Sequence, residues 1–118
     1  MANPNIVNVS SILGKTDTFA LTTTAANLVT ATANTVFKIN SIIVTNIDGS
    51  NAADVTVSYN DGSDTRAIGS TISVPADAAL NLIDKNSSFY LEETEVISGT
   101  ASANSDLVCL ISYEIISS

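Results

Sequence analysis

The sequence predicts an all-β fold, an antiparallel β-sandwich or jelly roll of about eight to ten short strands with little or no helix. Three observations predict it. Val, Ile and Thr recur along the whole chain, apolar and polar residues alternate over short stretches, and turn-forming residues separate those stretches. The 118 residues, of which 45% are hydrophobic, suffice for one core, so we expect a single domain over residues 1–118.

The N-terminal third predicts strands at residues 6–13 and 17–22, where aliphatic residues alternate with Asn, Ser and Thr. Residues 1–13 are expected to form an extended N-terminal strand or arm. A single helical turn is an alternative interpretation of residues 24–29. The β-branched residues between positions 29 and 36 favour strands here too.

The clearest strand covers residues 36–46, in which Phe37, Ile39 and Ile43 share one parity. Ile42 and Val44 make the second face partly apolar, which predicts a central strand covered on both sides. The polar members of that second face are Lys38, Asn40 and Asn46.

Turn-forming residues at positions 48–51 lead into an alternating strand over residues 54–59, so we expect these two strands to form a hairpin-like pair. A turn at residues 60–64 follows. Short strands are expected near residues 65–68 and 70–74, at an edge, because Pro75 cannot donate a backbone hydrogen bond.

The C-terminal third predicts strands over residues 79–83, 89–91, 96–101 and 107–116. In the last of these, alternate residues are apolar and are expected to lie in the core. They are Leu107, Cys109, Ile111, Tyr113 and Ile115.

Charge and targeting patterns exclude several partners. Twelve acidic residues against four basic ones give a net charge of -8, and the four basic residues are scattered, so no nucleic acid is expected as a partner. No run of residues reaches membrane-spanning length, and the start of the sequence lacks the basic and apolar regions of a signal peptide. We therefore expect no membrane partner.

The sequence also predicts no catalytic, metal or cofactor site. It has no His, which excludes Ser-His-Asp and Cys-His sites, and the single Cys109 is expected to be a small buried apolar residue. Glu92, Glu93 and Glu95 remain as paired carboxylates of the kind that glycosidases use, although side chains so close together in a turn are expected to stay solvated. We expect a protein that is not an enzyme.

A series of short motifs, spread over nearly the whole chain, resembles small virion structural proteins of tailed bacteriophages, especially cyanophages. They are Asn-Pro-Asn-Ile-Val-Asn-Val at residues 3–9, Val-Phe-Lys-Ile-Asn-Ser at 36–41, Val-Thr-Asn-Ile-Asp-Gly at 44–49, Ala-Ala-Asp-Val-Thr-Val at 52–57, Thr-Ile-Ser-Val-Pro-Ala at 71–76, Phe-Tyr-Leu-Glu-Glu at 89–93, Thr-Ala-Ser-Ala-Asn at 100–104 and Ser-Tyr-Glu at 112–114. In one departure, Thr94-Glu95 stands where similar proteins often carry a Gly-Asp turn.

The resemblance implies a β-sandwich displayed many times on a phage particle, as a capsid cement or decoration protein. Its implied partners are the major capsid protein of the same phage and further copies of the chain, with a homotrimer favoured. It would be made in the host cytoplasm and end on the capsid surface of the virion. A tail, baseplate or fibre component, including a receptor-binding module, is the alternative.

Two segments are candidates for the contact surface. The N-terminal one is rich in large aliphatic residues and would add a strand to the sheet edge of a neighbour, although it would serve equally as an ordinary edge strand. The second lies in the 89–91 strand, where a role in the core is also open. The candidate interface residues are Ile6, Val7, Val9, Ile12, Leu13, Phe89, Tyr90 and Leu91.

Overall fold

The structure is a computed structural model, which describes residues 10–117. This part of the chain forms nine strands and a single 3-10 turn at Lys85–Ser87, which confirms the predicted all-β sandwich with little helix. The strands are β1 (Ser11–Ala20), β2 (Ala26–Thr30), β3 (Thr35–Asn46), β4 (Ala53–Asn60), β5 (Thr65–Val74), β6 (Ala79–Ile83), β7 (Phe89–Leu91), β8 (Val96–Ala101) and β9 (Leu107–Ser117).

The strands form two antiparallel sheets. Sheet A has the order β1-β9-β3-β6, with β7 beside β6 along the same edge of β3, and sheet B has the order β2-β8-β4-β5. The pairs β1–β9, β2–β8, β3–β6/β7 and β4–β5 show that the chain is folded back on itself about the turn at residues 61–64. This doubling is the topology of a jelly roll.

A bulge in β3 changes which of its residues face the core. Ile39 lies opposite Tyr113 of β9, but Ser41 lies opposite Ser112, so Asn40 is an extra residue on β3. Beyond it, Ile42 and Val44 are fully buried and Ile43 is half-buried. The predicted alternation was therefore wrong after Asn40, because one inserted residue moves every later side chain to the other face.

The predicted hairpin of the third and fourth strands is wrong, because β3 lies in sheet A and β4 in sheet B. Residues 47–52 carry the chain between the sheets. Asn46, which the bulge turns inward, is only 1% exposed. Its Nδ2 donates to the carbonyls of Asn51 and Val74, both at 2.9 Å, and its Oδ1 accepts from the Asp48 amide at 2.9 Å.

The turn between β4 and β5 forms as predicted. The Asp61 carboxylate accepts hydrogen bonds from the amides of Asp64 at 2.8 Å and Ser63 at 3.0 Å, and these bonds lower the pKa of Asp61. The two short strands predicted over residues 65–74 are instead the single strand β5, whose pairing with β4 shifts register. As expected, β5 is an edge strand of sheet B among the described residues.

The N-terminal part also merges two predicted strands. β1 runs without a break from Ser11 to Ala20 along β9, and the first part of the predicted strand, residues 6–9, lies outside the described residues. Residues 26–30 form β2 rather than a helical turn, which confirms the preference for strands.

The core lies between the sheets and is apolar. Cys109 is fully buried in it, as predicted. Four of the five core residues predicted in β9 are buried, while Ile115 is half-buried and Ile116 is 3% exposed. Ile116 is buried on the opposite side of β9, between Ile12 of β1 and Val36 of β3. None of the helical structure in residues 10–117 has the length and apolar character needed to cross a membrane.

Candidate assembly surfaces

Strand β1 is an exposed edge of sheet A. Among residues 10–117 it pairs with β9 alone, and nearly all of its side chains are exposed. Ile12 and Leu13 are each 57% exposed. Backbone groups along such an edge are free to pair with another strand, so the predicted interface role of Ile12 and Leu13 has a suitable location. Ile6, Val7 and Val9 lie outside the described residues.

The second predicted segment is strand β7. Tyr90 is 44% exposed, Phe89 is half-buried and Leu91 is fully buried in the core. Alternation along a strand explains the difference between Tyr90 and Leu91. Tyr90 and Phe89 are therefore accessible to a partner, whereas Leu91 holds the strand against the core.

An apolar groove opens beside β7, on the flank where the edge of sheet A meets the edge of sheet B. Its volume is about 340 Å³. The rings of Tyr59 and Phe89 meet edge to face, with centroids 6.1 Å apart. β6 and β7 both lie along one edge of β3 and are joined through the 3-10 turn Lys85–Ser87. The groove is lined by Tyr59, Ile68, Ile83, Phe89 and Tyr90.

This groove was not predicted from the sequence. Its lining residues come from four strands, and only Phe89 and Tyr90 belonged to a predicted surface segment. Nothing in the spacing of Tyr59, Ile68 and Ile83 distinguishes them from core residues, since each lies in an apolar alternation.

Two of the three carboxylates in the acidic turn between β7 and β8 are buried, so the expectation that they stay solvated was wrong for these two. Glu93 is 7% exposed and Glu95 is 6% exposed. Glu95 Oε1 accepts from the Glu92 amide at 2.8 Å and from the Tyr59 hydroxyl at 2.7 Å. Glu93 Oε2 accepts from the Asn34 amide. The donors to Glu95 replace water at that carboxylate, whereas Oε1 of Glu93 is buried and has no hydrogen-bond partner among the described residues.

The hydrogen bonds of Glu93 and Glu95 connect this turn to other parts of the fold. Glu95 joins the turn to β4 through Tyr59, and Glu93 joins it to the loop between β2 and β3. Burial, followed by the hydrogen bond and charge of Glu95, raises the pKa of Tyr59. Both carboxylates thus hold loops together rather than facing a substrate cleft.

Thr94, within this turn, has a φ of 71°, a conformation that costs a β-branched residue about 1–2 kcal/mol. Its side chain is exposed. Replacing Thr94 by Gly is expected to raise the free energy of unfolding by about 0.5–1 kcal/mol after the entropic cost of Gly. Urea denaturation measures this. Thr100→Gly, in the extended strand β8, is the control and should lower stability; a Thr94→Gly change of the same sign would contradict the argument.

The only thiol of the sequence, that of Cys109, is buried. Burial raises the pKa of the Cys109 thiol to about 12, so it stays protonated at neutral pH. Residues 10–117 hold no group of three or more Cys, Asp or Glu side chains placed to bind a metal ion.

The outer faces of the two sheets differ in chemistry. On sheet B, outward positions of β4 and β8 are polar and lie opposite one another, as in the pairs Thr56–Thr100 and Ser58–Ser98. On sheet A, the outward Ile43 lies opposite Leu110 and both are half-buried. The two faces of the sandwich are therefore not equivalent as contact surfaces.

Tyr113 links the core to the edge strand. Its ring stacks on Phe37 with centroids 5.3 Å apart, and its hydroxyl donates to Asp17 Oδ2 at 2.6 Å. Burial raises the pKa of Tyr113 to about 12, with a further contribution from Asp17. The folded state thus holds the phenol proton more tightly than the unfolded chain does.

This raised pKa predicts a loss of stability in alkali. The contribution is fully present below the unfolded pKa of about 10 and disappears as the pH rises from about 10 through about 12. Tyr59 acts in the same direction. Urea midpoints between pH 8 and pH 11.5 should fall above pH 10, and Tyr113→Phe should make that fall shallower. An unchanged slope in the variant would contradict the role of Tyr113.

Comparisons with known proteins show the fold. No family model matches the chain, and no curated protein matches it. A chain from the acidic stable capsid structure of Helicobacter pylori bacteriophage KHP30 has a similar fold, with a TM-score of 0.54 and 9% identity over 92% of this chain and 90% of that chain. A chain from Bacillus endospore appendages, a novel family of disulfide-linked pili, has a TM-score of 0.52 and 14% identity over 99% of this chain and 100% of that chain.

At these identities, the likeness establishes the fold alone. It agrees with the resemblance to phage structural proteins at that level, but it does not single out cyanophages or the cement type. Of these two chains, one comes from a capsid and the other from pili.

Proposed function

We propose that this chain is a non-enzymatic structural protein of a phage virion, a capsid cement or decoration protein that binds the shell of major capsid protein. In this proposal the chain associates with further copies of itself, as a trimer, on the outer surface of the capsid. The sequence motifs point to phage virion proteins, and the fold is compatible with that role.

The observation that carries the proposal is the match of nearly the whole fold to a chain of a phage capsid. The shared fold covers 92% of this chain and 90% of that one. A jelly roll is a common solution for capsid proteins because its two packed sheets form a rigid unit with its core closed off.

The chemistry of the described residues supports a binding role. Residues 10–117 present an apolar groove and an exposed strand edge, and both features suit contacts with other proteins. The net charge of -8 keeps such a protein soluble before assembly. The exposed edge and groove provide surfaces for neighbours.

The likeness to a pilus chain raises a second candidate, a subunit that polymerises into a filament. The disulfide-linked form of that assembly does not suit this chain, because its single cysteine, Cys109, is buried in the core. A filament held by non-covalent contacts remains the second candidate, supported by the full coverage of the pilus chain.

Antibody labelling of particles tests the capsid location. Gold-conjugated antibodies raised against this chain should label the heads of virions of the phage that encodes it, over their whole surface. Label confined to the tail, baseplate or fibres would replace the cement role by the tail alternative. Label on filaments instead of virions would favour the pilus-like candidate.

A further inference from the structure

We propose that the groove lined by Tyr59, Ile68, Ile83, Phe89 and Tyr90 is the docking site for residues 5–9 of a second copy of this chain. The inference deepens the proposed function and rests on it, because it names the contact by which copies associate. It joins the two segments that the sequence singled out, the aliphatic N-terminus and the aromatic strand β7.

The groove suits an apolar strand. Ile68 and Ile83 form its aliphatic walls and Phe89 and Tyr90 its aromatic ones. A volume of about 340 Å³ is at the lower end of binding cavities and suits a few aliphatic side chains. The groove lies between strand edges of both sheets, so a peptide in it is able to add backbone hydrogen bonds to one of those edges.

The sequence of residues 5–9 supplies a matching occupant. It reads Asn-Ile-Val-Asn-Val. In an extended strand, Val7 and Val9 share one face with Asn5, while Ile6 and Asn8 share the other. Val7 and Val9 would enter the groove, and Asn5 would lie at its end.

The occupant comes from another copy because the same chain does not reach. The described chain begins at Ser10, whose amide donates to the carbonyl of Ser117 on the β1 side of sheet A. Three strand spacings, about 14 Å, separate β1 from β7. The two sites are also offset along the strands. Ser117 pairs with Thr35 of β3, whereas β7 pairs with β3 from Phe37 onward, which is two residues, or about 7 Å, further along.

The chain between Ser10 and Val7 is too short to cover the distance from Ser10 to the groove beside β7. Val7 is three residues from Ser10 and spans about 10 Å when fully extended, and Val9 spans less. Neither side chain can enter the groove of its own chain. A second copy has no such restriction.

Disulfide trapping of the purified, full-length protein tests this docking. One chain carries Asn5→Cys and the other carries Asn86→Cys, which is exposed in the 3-10 turn between Ile83 and Phe89. The control partner carries Asn27→Cys, which is exposed on β2 at the opposite edge of sheet B. Cys109 is buried and does not compete.

Under mild oxidation, the mixture of N5C and N86C chains is expected to give about tenfold more mixed disulfide dimer than the mixture of N5C and N27C chains, because docking raises the effective concentration. Adding V7S and V9S to the N5C chain should reduce the yield to the control level, whereas adding N8S should leave it unchanged. Circular dichroism of each variant checks that the fold is retained.

Two results would overturn the inference. Equal yields from the two mixtures would show that the cysteines meet only by collision. An intramolecular disulfide in a diluted V7C/N86C chain would show that residue 7 reaches the groove of its own chain. Because the experiment uses no virions, either result refutes the docking and leaves the capsid role to be judged on particles.

Discussion

Removal of residues 2–9 is expected to abolish self-association and binding to the capsid shell while leaving the sandwich folded. The deletion keeps Ser10, whose amide bonds to Ser117 and closes the end of β1. It removes Ile6, Val7 and Val9, the aliphatic residues of the predicted contact segment. Burying Val7 and Val9 in the groove of a partner is worth about 1.5 kcal/mol or more for each, so these two side chains account for about a hundredfold in affinity.

Sedimentation of the truncated protein with and without capsid shells measures this effect, and its urea midpoint reports on the fold. A matched pair of full-length variants separates side-chain chemistry from length. Ile6, Val7 and Val9 all replaced by Ser should behave like the deletion, whereas Asn5→Ser with Asn8→Ser should assemble normally. Normal assembly by the truncated, folded protein would show that the N-terminal segment is not the contact.

Asn46→Ala is expected to lower the free energy of unfolding by about 3 kcal/mol, a large effect for the replacement of a single polar side chain. The Asn46 side chain is 1% exposed. Its amide bonds to two carbonyls and one amide of the residues around the loop between sheets A and B. Alanine leaves the carbonyls of Asn51 and Val74 and the amide of Asp48 without this partner. Val74 is buried, so water does not readily replace the lost donor at its carbonyl.

Chemical denaturation measures the change. Asn27→Ala is the matched control, because Asn27 is exposed on an edge strand and should change stability by less than about 0.5 kcal/mol. Asn46→Asp should be at least as damaging as alanine, since it keeps the acceptor but loses both donors and buries a charge. A loss below about 1 kcal/mol for Asn46→Ala would mean that the loop is held by other contacts.

Much of the fold was predictable because the strand signal in this sequence is strong. Alternation over residues 107–116 placed Leu107, Cys109, Ile111 and Tyr113 correctly in the core. The turn at residues 61–64 was predictable because Asp61 and Gly62 are residues that favour turns by their own chemistry. These are local properties, and local properties can be inferred from neighbouring residues.

The errors arose where tertiary structure overrides the local pattern. The bulge at Asn40 reverses the alternation of β3, and no residue near it marks an inserted position. The turn residues after Asn46 suggested a hairpin, but a jelly roll uses that connection to cross between sheets. Which of the two occurs depends on the pairing of β3 with β9 and of β4 with β8, strands that lie far along the chain.

In the candidate assembly surfaces, too, local features could be inferred from the sequence, whereas features that depend on tertiary contacts could not. Ile12, Leu13 and Tyr90 are exposed, which leaves them available for the surface role that was expected from local runs of apolar residues. The groove and the burial of Glu93 and Glu95 depend on residues brought together from separate strands, such as Tyr59 donating to Glu95. Contacts of this kind have no signature in a single sequence.

The most direct test of the proposed structural role is the copy number of this chain per purified virion of the phage that encodes it. Quantitative mass spectrometry against the major capsid protein measures it. A cement protein should be present in on the order of hundreds of copies, because a shell repeats each contact by symmetry. About a dozen copies would place the chain in the tail instead, and its absence from the particle would contradict the virion role altogether.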